Sequence, residues 1–153
     1  MIPPTSLLLL DTNVLVHLVR GDDLGIGIAE EYELRERVEK PLISIITVGE
    51  MKAITMKFRW GQQKRNLLDK LFQELVIVHL NQGNIVEKYA EIDYYSKQVV
   101  KPAHPMGQND MWIAATASAL EACLLTTDND FDHLVPDHLT RIKIEHQAIE
   151  SHK

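Results

Sequence analysis

The sequence is short of cysteine: Cys123 is the only one among 153 residues. No internal disulfide can form, and a metal site built on several thiolates is excluded. With nothing basic beside it in Ala122-Cys123-Leu124-Leu125 to lower its pKa, Cys123 reads as a buried structural strand residue. The apolar run Leu7-Leu8-Leu9-Leu10 is far too short for a signal peptide or a membrane span, and the opening Met1-Ile2-Pro3-Pro4 carries no basic side chain. These absences imply a cytoplasmic protein with no membrane association. Glycine and proline are few, at 7 and 6, and no tract is biased enough to suggest disorder or internal repeats. Basic side chains are in deficit, 16 Lys and Arg against 22 Asp and Glu, leaving a formal charge of -6. That balance argues against broad electrostatic attraction to nucleic acid. A polyanionic substrate must then be met by metal ions or a local basic patch, and a basic partner is favoured.

What is present is the composition of a folded chain, 45% hydrophobic and 25% charged, of a length suited to one compact domain over 1–153. Leu7–Leu10 reads as a strand buried on both faces, as in the centre of a parallel sheet. Asp11-Thr12-Asn13 offers capping groups for a helix through Val14, Leu15, Leu18 and Val19, which Gly21 stops. A second apolar run, Leu42 to Ile46, leads into a helix from Thr47 to Phe58, and Gln62 to Glu74 is helical again. The strand Leu75–Val78 precedes a long amphipathic helix carrying Ile85, Tyr89, Ile92 and Val99. Asn109 is placed to cap a helix whose stripe of Ile113, Ala114, Ala117 and Leu120 is small enough for close packing on a sheet. Cys123–Thr126 and Thr140–Ile144 are the remaining strands, and a charged helix over Glu30–Glu39 is a peripheral excursion. Strands alternating with helices imply an α/β fold with a mostly parallel sheet.

Ligands of such sheets bind beyond the carboxyl ends of the strands. Asp11 follows the first strand, Asp128 follows the strand ending at Thr126, and Glu50 lies one turn into the helix after Leu42–Ile46. Asp110 begins the helix that feeds the strand before Asp128, so it starts at the same edge. Each acid has a plainer reading: Asp11 as a helix cap, Asp110 answering a helix dipole, Asp128 closing an Asx-turn, Glu50 on a solvated face. Gathered together, they repel by about 4 kcal/mol per close pair at an effective dielectric near 20, so a fold would not assemble them without a cation. Carboxylate oxygens suit Mg²⁺ or Mn²⁺. The seven histidines, at His17, His79, His104, His133, His138, His146 and His152, show no metal-ligand spacing and read as structural or surface residues. His104 alone is near Asp110 in sequence.

At four places the residues resemble PIN-domain nucleases, and among them the VapC-type toxins of bacterial toxin–antitoxin pairs. Leu-Leu-Asp11-Thr12-Asn13-Val-Leu is similar to the family's opening motif, and Ser44-Ile-Ile-Thr47-Val-Gly-Glu50 to its second. Pro105-Met-Gly107-Gln-Asn-Asp110-Met-Trp-Ile113-Ala-Ala resembles the third, and Leu-Thr126-Thr-Asp128-Asn-Asp130-Phe131 the fourth. Order and spacing match over about Leu7 to Ile144. The resemblance implies a three-layer αβα PIN-like domain, RNA phosphodiester hydrolysis, a cognate antitoxin and a homodimer. Asp11, Asp110 and Asp128 would hold the metal, Mg²⁺ or Mn²⁺, with Glu50 binding it through water or orienting the attacking water. The acidic surplus at Asp130 and Asp132 departs from the pattern; Asp128 fits the Thr-x-Asp register, with Asp130 in reserve.

Thr12, Asn13 and Thr126 are candidate supports for those carboxylates, although Thr12 and Asn13 serve equally as capping groups. Lys57-Phe58-Arg59-Trp60 with Lys64 and Arg65 is the densest basic and aromatic segment, suited to guiding an RNA backbone or, more plainly, to a helix end with a packed Trp. Three other classes compete. A magnesium-dependent phosphatase of the haloacid-dehalogenase type wants Asp-x-Asp after the first strand, where Asn13 stands. A response-regulator receiver wants paired acids there and an Asp after Val78. A catalytically silent binding module would not need all four acids.

Overall fold

A computed structural model of the protein describes residues 6–145. The opening Met1-Ile2-Pro3-Pro4, His146 and His152 lie outside the described residues. Five strands form one sheet, β1 (Leu8–Leu10), β2 (Leu42–Ser44), β3 (Val76–Val78), β4 (Cys123–Thr126) and β5 (Thr140–Lys143), in the order β3-β2-β1-β4-β5. Every pairing is parallel.

The unbroken apolar character of β1 follows from its burial on both faces. Alternate side chains of a strand point to opposite sides, so Leu8 and Leu10 enter one core with Ile43 and Leu125, while Leu9 enters the other with Leu42 and Leu124. On the first side pack α1 (Thr12–Arg20), α2 (Asp23–Glu31), Met51 of α3 (Ile45–Lys57) and Leu68 of α4 (Gln62–Gln73). On the second side pack α5 (Ile85–Tyr94) and α6 (Gln108–Leu120) through Ile85, Ile92, Ile113, Ala114 and Ala117. The result is the three-layer αβα arrangement expected from the sequence.

Local chemistry sets the helix ends. Asp11 is the cap of α1, its carboxylate accepting the Thr12 N–H at 2.8 Å, and Gly21 closes the helix at φ 61, its N–H donating to the His17 carbonyl. The Ser44 hydroxyl accepts the Ile46 N–H, so α3 starts at Ile45, before the expected Thr47, and β2 is shorter than Leu42–Ile46. Asn109 does not cap α6: Gly107 occupies that position and makes no side-chain cap bond, which leaves the Asn109 amide available elsewhere.

The expected Glu30–Glu39 helix does not form. The helix of this region is α2, nearer the N-terminus, where Asp22 accepts the Gly25 N–H and Leu24 and Ile28 supply a buried face. Residues 32–36 are turns. Charge without an apolar stripe gives a helix nothing to bury. The long amphipathic helix ends α-helically at Tyr94 and continues as a π-helical turn, Tyr95–Val99. Cys123 is half-buried in β4, and burial pushes its thiol up.

Candidate functional site

The chain leaves β1 toward β2 and β3 on one side and returns to β4 on the other, so the direction of winding reverses between β1 and β4. A crevice forms beyond the carboxyl ends of strands at such a reversal. Asp11 is the residue after β1 and Asp128 lies two after β4. The Asp11 N–H donates to the Leu125 carbonyl at 3.0 Å, which extends the ladder to the edge itself.

One hydroxyl joins these two acids. Thr126 Oγ1, wholly buried, donates to Asp11 Oδ2 at 2.7 Å and accepts the Asp128 N–H at 3.0 Å. Asp128 Oδ1 accepts the Asp130 N–H at 3.0 Å, so the anticipated Asx-type turn is present and folds Asp130 back toward the crevice. Asn13 acts as an acceptor, not a donor: its Oδ1 lies 3.3 Å from the Thr127 N–H and ties the start of α1 to the loop after β4. Asp132, by contrast, is ion-paired with Arg141.

Glu50 arrives from α3. Thr12 Oγ1 donates to its Oε1 at 2.6 Å, and the Asn109 amide donates to its Oε2 at 3.3 Å. Thr12 Oγ1 also lies 3.0 Å from Thr47 Oγ1. With its single proton directed to Glu50, Thr12 accepts from Thr47. Thr47 and Asn109 stand inside the second and third motifs but carry no site role in the sequence reading. Thr47 is one helical turn before Glu50, and Asn109 directly precedes Asp110, but its capping propensity gives it a simpler role in sequence.

Asp110, on the first turn of α6, faces all the others. Burial, then the charges of Asp11, Asp128, Asp130 and Glu50, push its carboxyl up to about 7. Asp11 is raised to about 6, chiefly by burial, partly offset by its bonds from Thr126 and Thr12. Carboxylate oxygens of Asp110, Asp128 and Asp130 lie within 4.8 Å of one another. All the donors are hard oxygens, and mutual repulsion leaves the group short of positive charge, so the residues present fit a divalent cation such as Mg²⁺ or Mn²⁺. Asp128 and Asp130 both reach the group, so neither displaces the other.

Lys64 lines a shallow depression with Val19 and Arg20 at the far end of α1, about 13 Å of helix from Asp11 at 1.5 Å per residue. Its ammonium sits 4.1 Å from the centroid of the buried Trp60 ring, so those two fulfil the plainer packing role. Lys57, Arg59 and Arg65 are exposed.

The family model for the PIN domain matches residues 8–135. The chain belongs to the PIN domain family. No curated protein matches it. Among solved structures, VapBC2 from Rickettsia felis bound to a promoter DNA fragment is 23% identical, covers 91% of this chain and 99% of that one, with a TM-score of 0.71. A toxin–antitoxin complex from Klebsiella pneumoniae is 25% identical over 89% of this PIN-domain chain and 98% of its own, with a TM-score of 0.63. DNA-bound VapBC from Salmonella typhimurium is 17% identical over 91% and 98%, with a TM-score of 0.73. Among the described residues no helix is long and apolar enough to cross a membrane.

Proposed function

We propose that this PIN-domain protein is a metal-dependent endoribonuclease, the toxin of a toxin–antitoxin pair, with Asp11, Glu50, Asp110 and Asp128 as its acidic centre and Asp130 as an additional ligand. The observation that carries this reading is the convergence of Asp110 with Asp128 and Asp130, whose carboxylate oxygens lie within 4.8 Å of one another; burial and four neighbouring acids push the Asp110 carboxyl up to about 7. Such a group is fully ionised at neutral pH only when a cation joins it.

Bound there, Mg²⁺ or Mn²⁺ would acidify a water and neutralise charge on the phosphate. The chain's own contribution is orientation and proton transfer. Thr126 and the Thr12 N–H fix both oxygens of Asp11, and Thr126 and Asn13 fix the loop that carries Asp128. Glu50, steered by Thr12 and Asn109, takes the proton of the attacking water. The water oxygen bonds to phosphorus, the bond from phosphorus to the leaving sugar oxygen breaks, and that oxygen gains a proton from solvent.

The partner half of the reading draws on the relatives, several of which are toxin–antitoxin complexes. A groove of about 1080 Å³ lined by Leu18, Ile26, Leu34 and Leu71 together with charged side chains of both signs suits an amphipathic segment of an antitoxin, and the charge of -6 suits a basic one.

The test is cleavage of total RNA by protein freed of any co-purifying partner, in Mg²⁺ or Mn²⁺ and in EDTA. Wild type should cleave only with metal, and Asp11→Asn and Asp110→Asn should each lose about a thousandfold, the several kcal/mol that metal stabilisation supplies. A folded wild type that neither binds Mn²⁺ nor cleaves RNA would leave a silent binding module.

A further inference from the structure

The π-helical turn that extends α5 puts one side chain between the two segments that carry the acids. Ser96 is fully buried. Its Oγ lies 2.8 Å from His133 Nε2, and its carbonyl accepts the His104 N–H at 2.8 Å. His133 belongs to the short 3-10 turn Asp132–Leu134, which Phe131 separates from the Asp128-Asn129-Asp130 turn. His104 belongs to the loop that enters α6 at Gly107, three residues before Asp110. The two imidazoles also contact each other, with ring centroids 4.2 Å apart. One serine therefore bonds to both sides of the acidic group.

The widened turn makes this geometry available. The Val100 N–H donates to the Tyr95 carbonyl, a π-type bond, and the helix then stops, so the Ser96 carbonyl turns to His104. The acidic turn has a separate apolar anchor in Phe131 and Leu134, both wholly buried in the core shared with Ile85 and Ile92. Loss of the Ser96 bond would leave the turn folded and shift where its carboxylates sit.

We propose that Ser96 and His133 are positioning residues that set the separation of Asp110 from Asp128 and Asp130, and thereby the affinity of the carboxylate group for a divalent cation. This rests on reading that group as a cation site. Partners that orient metal ligands from behind are worth about 10–100-fold in metal affinity, and the same factor is expected here.

The experiment titrates the full chain with Mn²⁺, following the EPR signal of the free ion, with hydrogen exchange of residues 127–135 measured in parallel. Ser96→Ala and His133→Phe, the second keeping a ring against His104, should raise the Mn²⁺ Kd about 10–100-fold and speed exchange in that segment. His133→Gln, which keeps a polar nitrogen, should lie nearer wild type. Ile92→Val, a core substitution in the same layer, should leave the Kd unchanged. Wild-type affinity in both folded variants, or an equal loss in Ile92→Val, overturns the positioning role while the cation site stands. A wild type that binds no Mn²⁺ overturns both.

Discussion

Asp110 is where the chemistry of the crevice becomes a property of the whole protein. Its carboxyl, held up to about 7, and that of Asp11, held up to about 6, keep protons in the folded chain that the unfolded chain releases near 3.8. Folded-state proton binding then exceeds unfolded-state binding between about pH 4 and pH 7, so the stability of the metal-free protein falls as pH rises through that window and levels off above it. Thermal unfolding in EDTA should show this decline. Asp110→Asn removes one of the two causes: its Tm should match wild type near pH 4 and exceed it at pH 8 by about 2–4 °C for each kcal/mol relieved. Mn²⁺ at a hundred times its Kd should restore wild type at pH 8 by about 2.7 kcal/mol. A wild-type Tm indifferent to pH across the window would mean that neither burial nor mutual repulsion raises these carboxyls in the folded state.

At the scale of elements, α1 and α2 meet at Gly25. A methyl there would fall inside the His17 carbonyl and crowd the backbone of Leu18. The obstacle is main chain and cannot swing aside, so Gly25→Ala should cost about 1–3 kcal/mol, lowering Tm by several degrees in calorimetry. Unchanged stability would mean that the two helices separate freely. The same pair of helices shows how far sequence determines structure locally. The four carboxylates are legible in the sequence because each follows, or begins an element next to, a buried apolar run, and parallel topology carries such positions to one edge. Helix α2 is not legible, because Gly25 and Gly27 lower its propensity and its reason for being helical is the contact with α1. Asn109 is ambiguous because its amide can cap a helix or reach a carboxylate, and only the position of Glu50 decides. Ser96 leaves no trace, since a π turn has no sequence period of its own.

Across the whole molecule, the acids gather at one end of α1 and cationic side chains at the other, with an overall charge of -6. On the proposed ribonuclease reading, a strand of RNA nearing the crevice is repelled by the bulk of the surface, so the exposed cations should matter out of proportion to their number. Lys57 and Arg59 lie at and just beyond the end of α3, about 10 Å of helix from Glu50, with the exposed Phe58 between them as a stacking surface. They touch none of the carboxylates, so their removal should alter capture and leave chemistry alone. The double variant Lys57→Ala with Arg59→Ala should raise KM, keep kcat, and flatten the dependence of log(kcat/KM) on log salt by about 0.7 for each phosphate no longer neutralised. A fall in kcat would place these cations in the reaction itself. An unchanged salt slope would assign the segment to the packing of Trp60 and send the search for the RNA path to another face.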